Sequence, residues 1–120
     1  MDKFLKYRLL ISLIIIFIFL FVVIYFGLIT PKEFDEKNFT LIDKILHLIT
    51  YFSFSILLFF LNPNKKYIIF FIFFSFGIGF EFIQPFFQRN FQYLDIISNF
   101  LGLCVSLIIS KKYLIYEKNN

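Results

Sequence analysis

The chain has 120 residues, of which 20 are charged, and it contains no alanine. Phe, Ile and Leu together account for 60 residues, and the formal net charge is +4. This composition excludes a disordered chain and a nucleic-acid-binding tail, because both need more charge and fewer large apolar side chains. It also argues against a soluble domain, since a chain of this length cannot bury so much apolar surface in one core. A lipid bilayer is the natural solvent, and the length allows one domain, residues 1–120.

Polar breaks, each containing a proline, divide the chain into four apolar runs. The runs extend over residues 9–29, 41–61, 67–84 and 94–110. The first run has 21 residues without a charge, which as a helix would span ~31 Å of a ~30 Å hydrocarbon core. It is too long for a signal-peptide core and no small-residue cleavage site follows it, so we expect it to be retained. The sequence predicts an all-α integral membrane protein with four transmembrane helices, because lipid offers no partner for an unpaired backbone amide.

Lysine and arginine are distributed unevenly between the two ends of these spans. With the N-terminus in the cytoplasm, the inner side holds eight cations: Lys3, Lys6, Arg8, Lys65, Lys66, Lys111, Lys112 and Lys118. The outer side holds four: Lys32, Lys37, Lys44 and Arg89. Because cytoplasmic loops are enriched in cations, this bias predicts that both termini are cytoplasmic. Acidic residues follow the opposite pattern, and six of the eight fall outside: Glu33, Asp35, Glu36, Asp43, Glu81 and Asp95.

Polar side chains enter the apolar runs mainly at the predicted outer side. In the second run, Asp43, His47 and Tyr51 are spaced i, i+4, i+8 and share one helix face. In the third run, Glu81 and Gln84 are spaced i, i+3 and also share a face. These spacings predict two polar stripes that begin at the same membrane surface.

The fourth run carries a polar stripe that changes into a stripe of small residues: Asp95, Asn99, Gly102 and Ser106. Small residues let a neighbouring helix approach closely, and the polar residues then meet that neighbour. Gly77 and Gly79 in the third run are expected to allow a close contact or a bend beneath Glu81.

The depth of these polar residues favours contact with lipid headgroups. His47, Glu81 and Asn99 each lie about one helical turn, ~5 Å, inside the end of their run. That position is too shallow for a transmembrane ion path and deep enough to be partly desolvated. The loop over residues 85–93 places four aromatic rings around Arg89, so we expect it to lie in the interface and to hold Arg89 over the polar cluster.

The predicted site offers acid–base and anion-binding chemistry. His47, Glu81 and Asp95 are the catalytic candidates, because carboxylates and an imidazole can exchange protons. Arg89 can hold a phosphate or carboxylate with two hydrogen bonds. The full predicted binding set is Asp43, Lys44, His47, Tyr51, Glu81, Gln84, Arg89, Asp95 and Asn99.

The acidic residues need a cation beside them. Asp43, Glu81 and Asp95 would repel one another in a low dielectric unless Lys44, Arg89 or a metal were present. No organic cofactor is predicted, and a divalent cation of the Mg or Mn kind is the less favoured alternative, given mostly oxygen ligands. Its candidate ligands are Asp43, His47, Glu81 and Asp95.

Each of these residues alone also has a structural explanation. Asp43 and Asp95 suit the N-terminus of a helix. His47 alone is more often a structural hydrogen-bonding group, and Glu81 could form an ion pair with Arg89 or Lys44. Their grouping on one side of the membrane favours a functional site over these separate explanations.

The motifs, taken in order, resemble the VanZ-like family of bacterial membrane proteins over roughly residues 5–112. They are Asp43-Lys44-x-x-His47-x-x-x-Tyr51, then Glu81-x-x-Gln84, Arg89 and Asp95-x-x-x-Asn99-x-x-Gly102. The chain departs from the family where Phe87-Gln88 replaces a Pro-Gly-like turn, and where Ser106 replaces a second glycine. The resemblance implies a multi-pass protein of the bacterial cytoplasmic membrane with a link to low-level resistance to teicoplanin-type glycopeptides. It does not supply a mechanism.

Three functions remain open from the sequence. The site could bind or modify a cell-envelope amphiphile in the outer leaflet, such as a lipid-linked wall precursor or a lipoglycopeptide. It could belong to a membrane-embedded hydrolase or transferase acting on a lipid-linked substrate. The polar residues could instead only brace a bundle that works as a non-catalytic assembly or partner protein. The expected partners are the bilayer and such an amphiphile, and not a nucleic acid.

Overall fold

A computed structural model describes the backbone of residues 3–29, 36–87 and 93–119, and the side chains of residues 3–27, 42–87 and 93–113. Within these ranges the chain is helical almost throughout. The four long helices are α1 (Lys3–Ile24), α2 (Glu36–Leu61), α3 (Lys66–Ile83) and α4 (Tyr93–Asn119). A π-helical turn, Tyr25–Ile29, continues α1, and short 3-10 turns, Pro63–Lys65 and Gln84–Phe87, precede and follow α3. The predicted all-α class is therefore confirmed for the described residues.

Among the described residues, four helical segments are long and apolar enough to cross a membrane, the same number as the predicted spans. Their bounds are Lys3–Gly27, Ile42–Leu61, Pro63–Phe87 and Tyr93–Tyr113. The first begins earlier than the apolar run, because Lys3, Lys6 and Arg8 extend the helix without breaking its backbone hydrogen bonds. Long cationic side chains can do so at a membrane surface, since their stems lie along apolar surface while the charges reach water.

The exposed surfaces of the helices are of the kind that suits a lipid bilayer. Large apolar side chains remain exposed on all four helices, including Phe17 on α1, Leu57 on α2, Phe71 on α3 and Ile108 on α4. The buried interior is small by comparison and is built around Phe19, whose ring makes edge-on contacts with other rings. Its centroid lies 5.2 Å from that of Tyr51 and 4.7 Å from that of Phe73. Such pairs bring α1, α2 and α3 together through large side chains.

α2 and α4 form the most extensive helix pair in the bundle. Gly102 on α4 makes this closeness possible, because a Cβ there would lie 2.5 Å from the Leu48 carbonyl oxygen. One turn further along, the hydroxyls of Ser55 and Ser106 lie 2.7 Å apart with both side chains fully buried. The predicted small-residue stripe on α4 therefore packs against α2, as small residues do where two membrane helices approach closely.

The N-terminal part of α1 is tied to the turn between α2 and α3. The Arg8 guanidinium donates two hydrogen bonds to the Leu61 carbonyl oxygen, with a distance of 2.7 Å from Nε. Asn62 Nδ2 donates to Ser12 Oγ at 2.9 Å. These contacts satisfy a carbonyl at the end of α2, where no further helical amide follows to pair with it. They also fix the start of α1 at the end of the bundle opposite Asp95.

Candidate functional site

The start of α2 and the start of α4 meet through an ion-pair cluster at one end of the bundle. Lys44 Nζ donates to Asp95 Oδ1 across the two helices, and it lies 3.3 Å from Asp43 Oδ2 on its own helix. One ammonium therefore lies against two carboxylates, so part of the repulsion between them is offset. The sequence predicted that Lys44, Arg89 or a metal would offset the repulsion among the acidic residues. In the structure Lys44 has this role for Asp43 and Asp95.

His47 lies on the same face, one turn into α2. Its Nδ1 is 3.1 Å from Asn99 Oδ1, and its Nε2 is 3.7 Å from both Asp43 Oδ1 and Asp95 Oδ2. An amide oxygen only accepts, so with this assignment of the Asn99 amide the Nδ1 atom is the donor. Asn99 thereby fixes the orientation of the imidazole and leaves Nε2 to exchange a proton beside two carboxylates.

The exposure of these side chains divides the site into a rim and a floor. The rim consists of Asp43, Lys44 and His47, whose side chains are 25%, 14% and 21% exposed. The floor consists of Asp95 and Asn99, which are buried at 4% and 3% exposure. A ligand at this end of the bundle would reach the rim first, while the floor holds the rim side chains in place.

Glu81 occupies a separate position on α3 and is buried at 1% exposure. With the Gln84 amide oriented so that its nitrogen faces the carboxylate, that nitrogen donates to Glu81 Oε2 at 2.9 Å and to Oε1 at 3.1 Å. The predicted i, i+3 pairing of these two residues on one face is therefore found. Gln84 also lies beside Gly27 in the π-helical turn that continues α1, where a Cβ would lie 2.5 Å from the Phe80 ring, so a larger residue at this position would displace that ring.

Tyr51 and Asn99 extend from the rim-and-floor cluster to α3. A Cβ at Gly77 would lie 3.0 Å from Tyr51 Oη and 3.1 Å from Asn99 Nδ2. Gly77 thus lets two buried polar groups from α2 and α4 rest against the α3 backbone. Gly79 has nothing within 4 Å of such a Cβ, so the expected close contact is found at Gly77 and is wrong for Gly79.

Three of the four candidate metal ligands converge. Asp43, His47 and Asp95 can each offer one donor atom so that all three atoms lie within 4.8 Å of one another. Glu81 is outside this group. A divalent ion would have oxygen and nitrogen ligands here, but it would compete with the Lys44 ammonium for the same two carboxylates.

The structure therefore joins eight of the nine predicted binding residues into two neighbouring groups. The first contains Asp43, Lys44, His47, Asp95, Asn99 and Tyr51, and the second contains Glu81 and Gln84. Arg89 lies outside the described residues.

Ser55 was missed from the sequence, although it continues the spacing of Asp43, His47 and Tyr51 by one more turn. Its hydroxyl donates to the Tyr51 carbonyl oxygen and also meets Ser106 on α4. Extending the i, i+4 pattern beyond the aromatic residue would have found it.

Together the fold and the site define an all-helical protein with four helices suited to crossing a membrane and a charged cluster at one end of its helices. In comparisons with known proteins, no family model, no curated protein and no solved structure matches the chain.

Proposed function

We propose that the chain is a VanZ-like protein of the bacterial cytoplasmic membrane, with both termini in the cytoplasm. The ordered motifs on α2, α3 and α4 support the family assignment. The distribution of charge supports the orientation, because the cations cluster at the end that holds the termini. In this orientation the rim and floor described above lie at the outer surface of the membrane.

We infer that this site binds the polar or anionic head of a cell-envelope amphiphile in the outer leaflet. The observation that carries the proposal is the position of His47, held by Asn99 and facing two carboxylates at a partly exposed rim. A lipid-linked wall precursor or a lipoglycopeptide presents a head of suitable chemistry at this depth. Exposed aromatic side chains beside the site, Phe86 and Phe87, suit a membrane interface.

The roles within the site follow from burial. Asp95 and Asn99 position Lys44 and His47 from below, since both are buried and each bonds to one rim residue. Lys44 can exchange one of its carboxylate partners for a phosphate or carboxylate of the head. Asp43 and His47 can bond to the hydroxyl and amide groups that such heads also carry.

The second candidate function is catalysis: the same site would carry out a hydrolase or transferase step on a lipid-linked substrate. The orientation of His47 favours this function. With Nδ1 donating to Asn99, the Nε2 atom of a neutral His47 carries a lone pair, and this atom lies 3.7 Å from carboxylate oxygens of both Asp43 and Asp95. An oriented imidazole of this kind can act as a general base. Glu81 lies apart from this histidine, so it is a weaker catalytic candidate than Asp95.

The predicted consequence of His47→Ala is loss of function with retention of the protein. His47 is partly exposed, so its removal leaves the Lys44–Asp95 pair and the helix packing intact. In cells whose teicoplanin tolerance depends on this chain, we expect tolerance to fall to that of cells lacking it. Protein amount in the membrane fraction should stay at the wild-type value.

The matched control is Thr50→Ala, since the Thr50 hydroxyl bonds only within α2, to the Leu46 carbonyl. This variant should keep both tolerance and protein amount. Full tolerance in the His47 variant would contradict a functional site. Loss of tolerance only in proportion to loss of protein would show instead that the polar residues brace the bundle.

A further inference from the structure

The opposite end of the bundle contains a cavity of about 140 Å³ between the start of α1 and the turn that joins α2 to α3. Its lining combines two cations, two amides and two leucines: Arg8, Lys65, Asn62, Asn64, Leu5 and Leu9. The volume is far more than the ~10–15 Å³ that one water molecule needs by the same measure. None of these residues belongs to the proposed outer site.

Charge at this end is of one sign among the described side chains. The cations there are Lys3, Lys6, Arg8, Lys65, Lys66, Lys111 and Lys112. The three acidic residues whose side chains are described, Asp43, Glu81 and Asp95, all belong to the other end. Lys66 and Lys111 lie over the Tyr67 ring, at 5.5 and 4.8 Å from its centroid. No acidic residue among the described side chains lies at this end to offset these charges, so they would attract an anion.

Arg8 is held in a fixed position within the cavity wall. Its Nε and Nη2 atoms donate to the Leu61 carbonyl oxygen, so the guanidinium plane cannot rotate freely. Those two bonds leave the Nη1 edge of the group for another acceptor, and guanidinium geometry matches phosphate oxygens well. Lys65 is exposed at the opposite wall and adds a second positive charge.

The apolar part of the lining indicates which anion fits. Leu5 and Leu9 are one turn apart on α1, and both side chains are about half exposed. An acyl chain can lie on such side chains while its phosphate reaches Arg8 and Lys65. Asn64 also lines the cavity, and its side-chain amide can donate a hydrogen bond to a glycerol or ester oxygen of a lipid.

We propose that this cavity binds the phosphate head of an anionic membrane lipid in the leaflet on the side of the chain termini. The lipid would join α1 to the α2–α3 turn by bridging Arg8 and Lys65. This site is independent of the outer one, so either can be present without the other.

The test is native mass spectrometry of the full chain in detergent, with phosphatidylglycerol and phosphatidylcholine added separately. We expect phosphatidylglycerol to bind and phosphatidylcholine to bind much more weakly. Lys65→Gln should weaken phosphatidylglycerol binding about fivefold, the effect of one cation at an anionic membrane surface. Arg8→Gln should weaken it at least as much.

The matched control is Lys66→Gln, which removes the same charge one residue away but does not line the cavity. It should change phosphatidylglycerol binding by less than twofold. Equal losses in the Lys65 and Lys66 variants would overturn the proposal in favour of a diffuse charge effect.

Displacement of the lipid by millimolar inorganic phosphate would show that phosphate alone is the ligand, and would overturn the lipid assignment. Because Lys65 is exposed, its variant tests the proposal even if the Arg8 variant fails to fold.

Discussion

Gly102→Ala is expected to lower the free energy of unfolding by about 3 kcal/mol, the upper part of the range for overpacking a close interface. The added Cβ would lie 2.5 Å from the Leu48 carbonyl oxygen and 3.2 Å from the Phe52 amide nitrogen. Both are backbone atoms of α2, so the clash can be relieved only by moving one helix away from the other. Separation of α2 from α4 would also pull Lys44 away from Asp95. Unfolding in mixed detergent micelles, followed by loss of helical circular dichroism, measures the change.

Gly79→Ala provides the matched comparison for Gly102→Ala. A Cβ at Gly79 meets nothing within 4 Å, so this substitution should cost no stability and should favour the helix by up to about 1 kcal/mol. Equal stability of the two variants would contradict the close approach of α2 and α4. A large loss at Gly79 together with none at Gly102 would contradict it more strongly.

Asp95→Asn is the second substitution for which we expect a loss of about 3 kcal/mol, because it removes one member of a buried ion pair. Asp95 is buried, and its Lys44 partner would lose one of the two carboxylates that lie against its charge, keeping the more exposed Asp43. The neutral amide would also face His47 Nε2 in place of the carboxylate. The same micelle unfolding assay measures the loss.

Two further variants test whether the loss of stability in Asp95→Asn comes from breaking the buried ion pair with Lys44. Asp43→Asn removes a carboxylate that is 25% exposed, so its cost should be at most about 1 kcal/mol. The double variant Lys44→Met with Asp95→Leu removes both charges and should recover most of the lost stability, since apolar residues can replace a buried ion pair. Wild-type stability in Asp95→Asn, or a double variant that is less stable than the single one, would contradict the ion pair across α2 and α4.

The number and order of the helices were predictable, because apolar runs of this length suit a lipid environment and form helices there. The apolar runs and the three prolines located four helices, and the described residues form these helices with changes at their ends. α4 extends to Asn119, beyond residue 110 where the fourth apolar run ends. Gly102 was identifiable because it shares one helix face with Asn99 and Ser106, where small residues let a neighbouring helix approach closely.

The partners within the polar cluster were harder to predict. Periodicity shows which residues share a face of one helix, but it does not give the rotation of each helix relative to its neighbours. Lys44 therefore emerged as the central cation only in the structure, and Glu81 was found beside Gln84 rather than with Asp43, His47 and Asp95. Beyond Arg8, Ser12 is the single polar residue of α1, so the pattern of apolar residues did not show which face of this helix meets the bundle.

Accessibility of the two ends of the bundle tests the central claim most directly, because the proposed function requires the polar cluster at the outer surface. In a Cys104→Ser background, single cysteines replace Asn90, which precedes α4, and Asn64, in the turn before α3. An impermeant thiol reagent added to intact cells should label the cysteine at position 90, and should label that at position 64 only after permeabilisation. Labelling of position 64 but not of position 90 in intact cells would place the cluster inside and would contradict the account.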